Sequence, residues 1–331
     1  MNGPAGSCPK CGASVEPDDR FCESCGFDLP PGPTPSGVTG GSADADPPAR
    51  CVRCGGSVDA DRYCLDCGLL QPAPHDHVEV DLGAAGAGVT DRGRHHHRNE
   101  DSLGMAVTAG RMAVVVCDGV SSTPDADRAA QTAVDAALSA LARVGDDSAA
   151  DHRRAATAAA EAVAALSSSA AQAPSCTYVA VTVEDPQVTV AWVGDSRAYL
   201  LDVSGVRRLT RDDSWAQDMV DRGLADEAGA MADPRAHQIT RWLGADARPQ
   251  PEARTATVAA SLPATVVVCS DGLWNYLADD AALAGLIAPG ATPIDVARHL
   301  VDFANQAGGH DNITAAIIVL SGPGSAPAAK E

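Results

Sequence analysis

Met112-Ala113-Val114-Val115-Val116-Cys117-Asp118-Gly119 decides how this chain is to be read. An unbroken apolar run ends there in a carboxylate and a glycine. Val266-Val267-Val268-Cys269-Ser270-Asp271-Gly272 repeats the pattern far downstream. A carboxylate at the exit of a buried strand is costly unless something pairs with it. Two further aspartates sit in similar settings, in Gly194-Asp195-Ser196-Arg197 and His310-Asp311-Asn312-Ile313-Thr314, and Asn99-Glu100-Asp101 adds two more acids. Carboxylates converging from distant strands repel one another without a cation between them. Oxygen-only ligation suits hard divalent ions such as Mg²⁺ or Mn²⁺. The residues alone therefore predict a carboxylate-built metal centre in a β-rich core.

The strands that carry these acids are predicted at Val78 to Val80, Met105 to Thr108, Met112 to Cys117, Thr177 to Val183, Val188 to Val193, Ala198 to Leu201, Ala264 to Cys269 and Ile313 to Leu320. Helical spacing of Ala130, Val134, Ala137, Leu138 and Leu141 predicts a helix from Asp125 to Val144. Further helices are expected at Ser148 to Ser168, Ser214 to Gly223, Asp279 to Ile287 and Pro293 to Gln306, the last with Thr292 as its cap. Helices inserted between two groups of antiparallel strands predict an α+β layered sandwich.

The first quarter of the chain is different. It holds eight of the chain's 11 cysteines, all in CxxC pairs. Cys8, Cys11, Cys22 and Cys25 make one set; Cys51, Cys54, Cys64 and Cys67 repeat it. Each pair forms a knuckle that a following glycine helps to turn, and two knuckles make a tetrahedral S₄ cage for Zn²⁺. The two copies resemble a tandem double zinc ribbon, with two structural Zn²⁺. The expected divisions are ribbon one over 1–29, a flexible linker over 30–49, ribbon two over 50–71, a short linker over 72–77, the main domain over 78–322 and a disordered tail over 323–331.

Composition narrows the partners. The 331 residues carry a formal net charge of −20. In residues 1–70, Lys10, Arg20, Arg50, Arg53 and Arg62 face ten acidic residues. Nucleic acid and anionic membrane are poor partners for such a surface, so the ribbons are expected to dock a protein. No stretch reads as a signal peptide or a membrane span. Thiols grouped as metal ligands suit a reducing compartment, and the expectation is a cytoplasmic protein.

Arg98-Asn99-Glu100-Asp101, Cys117-Asp118-Gly119, Gly194-Asp195-Ser196-Arg197, Cys269-Ser270-Asp271-Gly272-Leu273-Trp274 and Gly309-His310-Asp311-Asn312-Ile313-Thr314 occur in the order and spacing of the metal-dependent protein phosphatases. This is the PPM, or protein phosphatase 2C, family, and the resemblance spans about residues 78 to 320. It implies a four-layer αββα sandwich of two antiparallel sheets. It also implies a Ser/Thr phosphatase with two Mn²⁺ or Mg²⁺ ions and room for a third. Asp118 would bridge two metals and the Gly119 carbonyl would ligate one. Asp271 and Asp311 would complete the second, with Asp101 and Glu100 in the outer shell. Asp195 matches a third-metal residue, and Arg197 is expected to pair within the sandwich. The substrate would be a phosphorylated protein, and the partner a Ser/Thr kinase or its targets.

Three departures stand out. His96 occupies the place of a phosphate-gripping arginine; either it takes that role, or the neighbouring Arg94 or Arg98 reaches in, or phosphate is gripped more weakly. Val120-Ser121-Ser122 stands where relatives carry a histidine or methionine followed by two glycines. Leu209-Thr210-Arg211-Asp212-Asp213-Ser214 stands where relatives carry a histidine before the serine; it reads as the start of a flap that runs through Pro234, whose acids are expected to form a solvated face. The first two departures leave room for a catalytically weak, phospho-binding scaffold as the alternative.

Overall fold

The computed structural model describes residues 6–7, 14–15 and 50–321, except 61, 70, 168–172 and 248. The chain divides into two units, Met1–Asp44 and Ala45–Glu331. In the first, β1 (Gly6–Ser7) and β2 (Ser14–Val15) pair antiparallel. The cysteines expected as the first zinc set lie outside the described residues, as do the expected linker over 30–49 and the tail.

In the second unit the chain runs through β3 (His77–Asp81), β4 (Gly86–Asp91), β5 (Asp101–Thr108) and β6 (Arg111–Asp118). Helices α1 (Ala126–Leu141) and α2 (Ser148–Ala164) follow, then β7 (Ser175–Cys176), β8 (Tyr178–Glu184), β9 (Gln187–Val193), β10 (Arg197–Asp202) and β11 (Gly205–Arg208). Next come α3 (Trp215–Asp221), α4 (Glu227–Met231), β12 (Leu243–Gly244), β13 (Arg254–Ala259) and β14 (Ala264–Cys269). The chain closes with α5 (Asp271–Trp274), α6 (Ala282–Leu286), α7 (Pro293–Ala307) and β15 (Ile313–Leu320).

Two antiparallel sheets face each other, in the orders β11-β10-β14-β15-β4-β3 and β13-β9-β8-β6-β5. Strand β6 shows why the sequence reads as an unbroken apolar run. Ala113, Val115 and Cys117 point into the layer formed with α1 and α2. Met112, Val114 and Val116 point between the sheets. Side chains alternate with a period of two, and here both faces are buried. A third apolar layer packs Val267, Cys269 and Ile317 against Leu300, Val301 and Ala304 of α7. The order is helix, sheet, sheet, helix, as the α+β reading expected.

The helix caps obey local chemistry. The Asp147 side chain accepts from the Ala149 and Ala150 amides at the start of α2, and Thr292 accepts from Asp295 N at the start of α7 with Pro293 in the first turn. Residues 72–77, expected as a linker, are folded. Pro74–Asp76 forms a 3-10 turn, Asp76 is buried, and its carbonyl accepts from the Arg92 amide at 2.7 Å. Strand β4, which the sequence did not announce, runs beside β15. A Cβ on its Gly86 would stand 2.5 Å from the Ile317 carbonyl, and one on Gly88 would stand 2.5 Å from Leu103. Close approach of neighbouring backbone and side chains demands the glycines that hide this strand from propensity arguments.

Candidate metal centre

Five chain reversals bring acids to one end of the sandwich. Asp118 ends β6 and lies directly opposite Asp101, the first residue of β5. Asp271 starts α5 at the exit of β14, Asp311 precedes β15, and Asp195 sits in the turn between β9 and β10. Asp101 and Asp195 are buried; Asp118, Asp271, Asp311 and Glu100 are half-buried.

Hydroxyls and amides hold the acids in place. Ser270 Oγ and Thr314 Oγ1 donate to Asp101 Oδ2 at 2.6 and 2.7 Å. Asn275 Nδ2 donates to Asp271 Oδ2 at 3.2 Å. Asn312 Oδ1 accepts from the Glu100 amide at 2.8 Å, while its Nδ2 donates to the carbonyls of Arg92 and Arg98 at 2.8 and 3.1 Å. Asn312 therefore locks the Asp311 loop onto the Asn99-Glu100-Asp101 turn. Gly272 is required here: a Cβ would meet the Asn312 carbonyl at 1.9 Å. Gly119, expected as a carbonyl ligand, is also confined, with the Ala126 and Glu100 carbonyls at 2.6 and 2.7 Å from such a Cβ.

Burial and mutual repulsion govern the electrostatics of the cluster. Burial, then repulsion from Asp311 and Asp271, pushes Asp101 up to about 7 against the hydrogen bonds that favour its ionised form. Burial and Asp311 push Asp271 up to about 7. Asp118 lies well above its usual range through burial and the charges of Asp101, Asp271, Asp311 and Asp195. Asp195 is raised by burial and Asp271. Asp101 Oδ1 and Asp271 Oδ1 are buried without any hydrogen-bond partner. Orphaned carboxylate oxygens in a mutually repelling set fit a hard divalent cation. The acids are looser than the zinc-type set, since among the described residues only the four cysteines gather their ligand atoms within 4.8 Å of one another.

The basic residues divide. His96 Nε2 stands 3.2 Å from Asp311 Oδ1. Arg98 turns away to Asp127 on α1, at 3.4 Å. Arg94 lies against Gly309, its amide donating to the Gly309 carbonyl at 2.8 Å. His95 stacks on His310 at 4.6 Å between ring centroids. Arg197 grips Asp212 at 2.6 Å and lies over the Trp274 ring, whose Nε1 donates to the Asp195 carbonyl at 2.9 Å.

Three features differ from, or lie beyond, the sequence reading. The flap acids Asp212 and Asp213 are buried, not solvated: Asp213 pairs with Arg241 and Arg254 at 3.3 and 2.8 Å. Ser121 donates to the Glu100 carboxylate, so the Val120-Ser121-Ser122 loop braces an acid of the cluster. The hydroxyls of Ser270 and Thr314 both reach Asp101, a role that their residue types alone do not disclose. Beside the cluster lies a cavity of about 800 Å³, bounded in part by Met231, His237, Trp274 and Asn275.

Cys51, Cys54, Cys64 and Cys67 form a second site. Sulfurs lie 3.7 Å apart in the Cys51–Cys67 pair and 3.4 Å in the Cys54–Cys64 pair. A tetrahedron with Zn–S bonds of about 2.3 Å has edges of about 3.8 Å, so the set fits zinc. Burial opposes ionisation of Cys51, yet amide hydrogen bonds from Cys54 and Arg53 hold it down at about 6. By contrast Cys117, Cys176 and Cys269 are buried in apolar layers. Among the described residues, no helix is long and apolar enough to cross a membrane.

Comparison with known proteins places both parts of the chain in known families. The family described as "Protein phosphatase 2C" matches residues 90–305, and that described as "Double zinc ribbon" matches residues 8–68. The serine/threonine phosphatase stp of Listeria innocua is 31% identical over 237 residues, covering 69% of this chain and 93% of that protein. The crystal structure of the Mycobacterium tuberculosis serine/threonine phosphatase PstP superposes with a TM-score of 0.61 at 27% identity, over 72% of this chain and 100% of that one. A structure of the PstP catalytic domain with 2 manganese ions gives a TM-score of 0.57 at 26% identity, over 73% of this chain and 100% of that one.

Proposed function

The chain belongs to the protein phosphatase 2C family, and from that premise we propose that it hydrolyses phosphoserine and phosphothreonine in proteins with a divalent-metal centre. The observation that supports this most is the convergence of Asp118, Asp271, Asp311, Asp101 and Asp195 with two orphaned carboxylate oxygens among them. Mn²⁺ or Mg²⁺ would be held by Asp118, the Gly119 carbonyl, Asp271 and Asp311, with Asp101 and Glu100 in the outer shell and Asp195 available to a third ion. When bound, such ions supply Lewis acidity and a water acidic enough to attack phosphorus near neutral pH.

The protein's own groups set the geometry for that attack. Asn312 and Gly272 fix the Asp311 loop against the Glu100 turn. Ser270 and Thr314 hold Asp101. We assign phosphate contact to His96, the basic group already beside Asp311, because Arg98 is engaged with Asp127. Val120 leaves no histidine after Asp118-Gly119 to protonate the leaving oxygen, so phenolic esters should turn over faster than alkyl ones. The double zinc ribbon, which would hold its Zn²⁺ on Cys51, Cys54, Cys64 and Cys67 in the second copy, would dock a protein partner such as a Ser/Thr kinase or its targets.

The test is phosphate release from a phosphothreonine peptide by the full chain with Mn²⁺, with Mg²⁺ and with EDTA. Metal-dependent release is expected. A folded, metal-loaded protein that binds the peptide without turnover would replace the phosphatase with a scaffold.

A further inference from the structure

Gln71 closes the second zinc knuckle from behind. Its side chain is buried. Nε2 donates to Cys51 Sγ at 3.4 Å and to the Leu69 carbonyl at 2.8 Å, and Oε1 accepts from the Val52 amide at 2.8 Å. Its backbone is tied as firmly: Gln71 N donates to the Arg62 carbonyl at 2.7 Å, and Arg62 Nη2 donates to the Gln71 carbonyl at 3.1 Å. An amide that donates to a ligating thiolate disperses its charge and fixes its direction, which is how outer groups tune a metal site.

The chain leaving Gln71 is tied to the loops that flank the acid cluster. Ala73 N donates to Asp76 Oδ2 at 2.7 Å, and the Asp76 carbonyl accepts from Arg92 N at 2.7 Å. The His75 carbonyl accepts from Asn99 Nδ2 at 3.2 Å. The Arg92 carbonyl then accepts from Asn312 Nδ2 at 2.8 Å, and Asn312 holds the Glu100 amide and precedes β15 beside Asp311. From the segment 72–76, one hydrogen bond reaches Arg92 and one more reaches Asn312; a separate bond reaches Asn99, whose Oδ1 accepts from the Asp101 amide at 3.2 Å.

We propose that Gln71 is a positioning residue through which zinc in the second ribbon braces the carboxylate centre. Zinc at Cys51, Cys54, Cys64 and Cys67 fixes Gln71. Gln71 fixes the strap at 72–76, and the strap holds the Arg92 and Asn99 loops that Asn312 joins to Glu100 and Asp311. Loss of that zinc loosens the loops without removing any carboxylate. The effect on turnover rests on the phosphatase reading; the effect on zinc and on loop mobility does not.

The experiment uses the full chain and Gln71→Leu. Zinc is titrated against a chromophoric chelator, and amide hydrogen exchange is read by mass spectrometry over residues 88–99, with and without zinc. In the variant, one of two zinc equivalents should weaken about 10- to 100-fold, and the other should be unchanged. Exchange at 88–99 should speed up in the zinc-free wild type and, at limiting zinc, in the variant. Phosphate release should fall along with it. Zinc affinity within twofold of wild type overturns the role of Gln71. Exchange at 88–99 that ignores zinc overturns the coupling. Faster exchange in a protein that never releases phosphate upholds the brace and removes the phosphatase instead.

Discussion

Replacing Asp101 by asparagine should make the metal-free protein more stable while damaging its metal centre. Asp101 is buried at the start of β5, facing Asp118 across the strand pair. Burial and the charges of Asp311 and Asp271 move its acid dissociation from 3.8 to about 7. An acid whose folded-state value is raised holds its proton in the folded chain where the unfolded chain has lost it, so folding is favoured at low pH and penalised as pH rises. Above about pH 7 the penalty reaches roughly 4 kcal/mol, and about 3 of it accumulates between pH 5 and pH 8. Asparagine keeps an oxygen for Ser270 and Thr314 to donate to and removes the charge. In EDTA, chemical unfolding of wild type should show stability falling from pH 5 to pH 8, and Asp101→Asn should flatten much of that slope. With Mn²⁺ present the order should reverse, because the cation stabilises the wild-type cluster. An Asp101→Asn protein with no gain in EDTA at pH 8, or a wild type whose metal-free stability is level across that range, would refute the account of mutually repelling carboxylates.

Other substitutions probe other layers of the argument. Gly272→Ala drives a methyl group into the Asn312 carbonyl; it should cost about 1–3 kcal/mol as overpacking and reduce Mn²⁺ affinity and turnover, measured by calorimetry and phosphate release. Arg197→Ala leaves Asp212 buried and unpaired and should cost about 3–5 kcal/mol in denaturant titration. His152 is buried against Thr182, and burial followed by the nearby Arg111 lowers it to about 4. Its full contribution is therefore present above pH 6.5 and lost as pH falls toward 4, roughly 3 kcal/mol in all, and His152→Gln should shallow the acid limb of the stability curve by about one proton.

What the sequence could disclose follows from how each element is buried. Strands β6 and β14 announce themselves because both their faces are covered, which leaves runs such as Met112 to Cys117 without a polar break. The acids at their ends were legible for the same reason, since a charge beside such a run needs a partner. Strand β4 was silent because Gly86 and Gly88 serve close packing rather than β propensity. Asp212 and Asp213 looked like surface acids, and only the folded chain brings Arg197, Arg241 and Arg254 to them from far away. The folded state of 72–77 escaped notice because its partners, Arg92 and Asn99, contribute a backbone amide and an amide side chain rather than an apolar pattern. His96 was legible as a departure, but its pairing with Asp311 was not.

The central claim is that Asp118 organises a catalytic divalent-metal centre. The most direct test follows Mn²⁺ binding by calorimetry and phosphothreonine-peptide hydrolysis in parallel, on the full chain and on Asp118→Asn, with the ribbons kept zinc-loaded. The account predicts at least two Mn²⁺ in the wild type, and loss of both binding and turnover in a variant that remains folded. Full turnover by Asp118→Asn would contradict it.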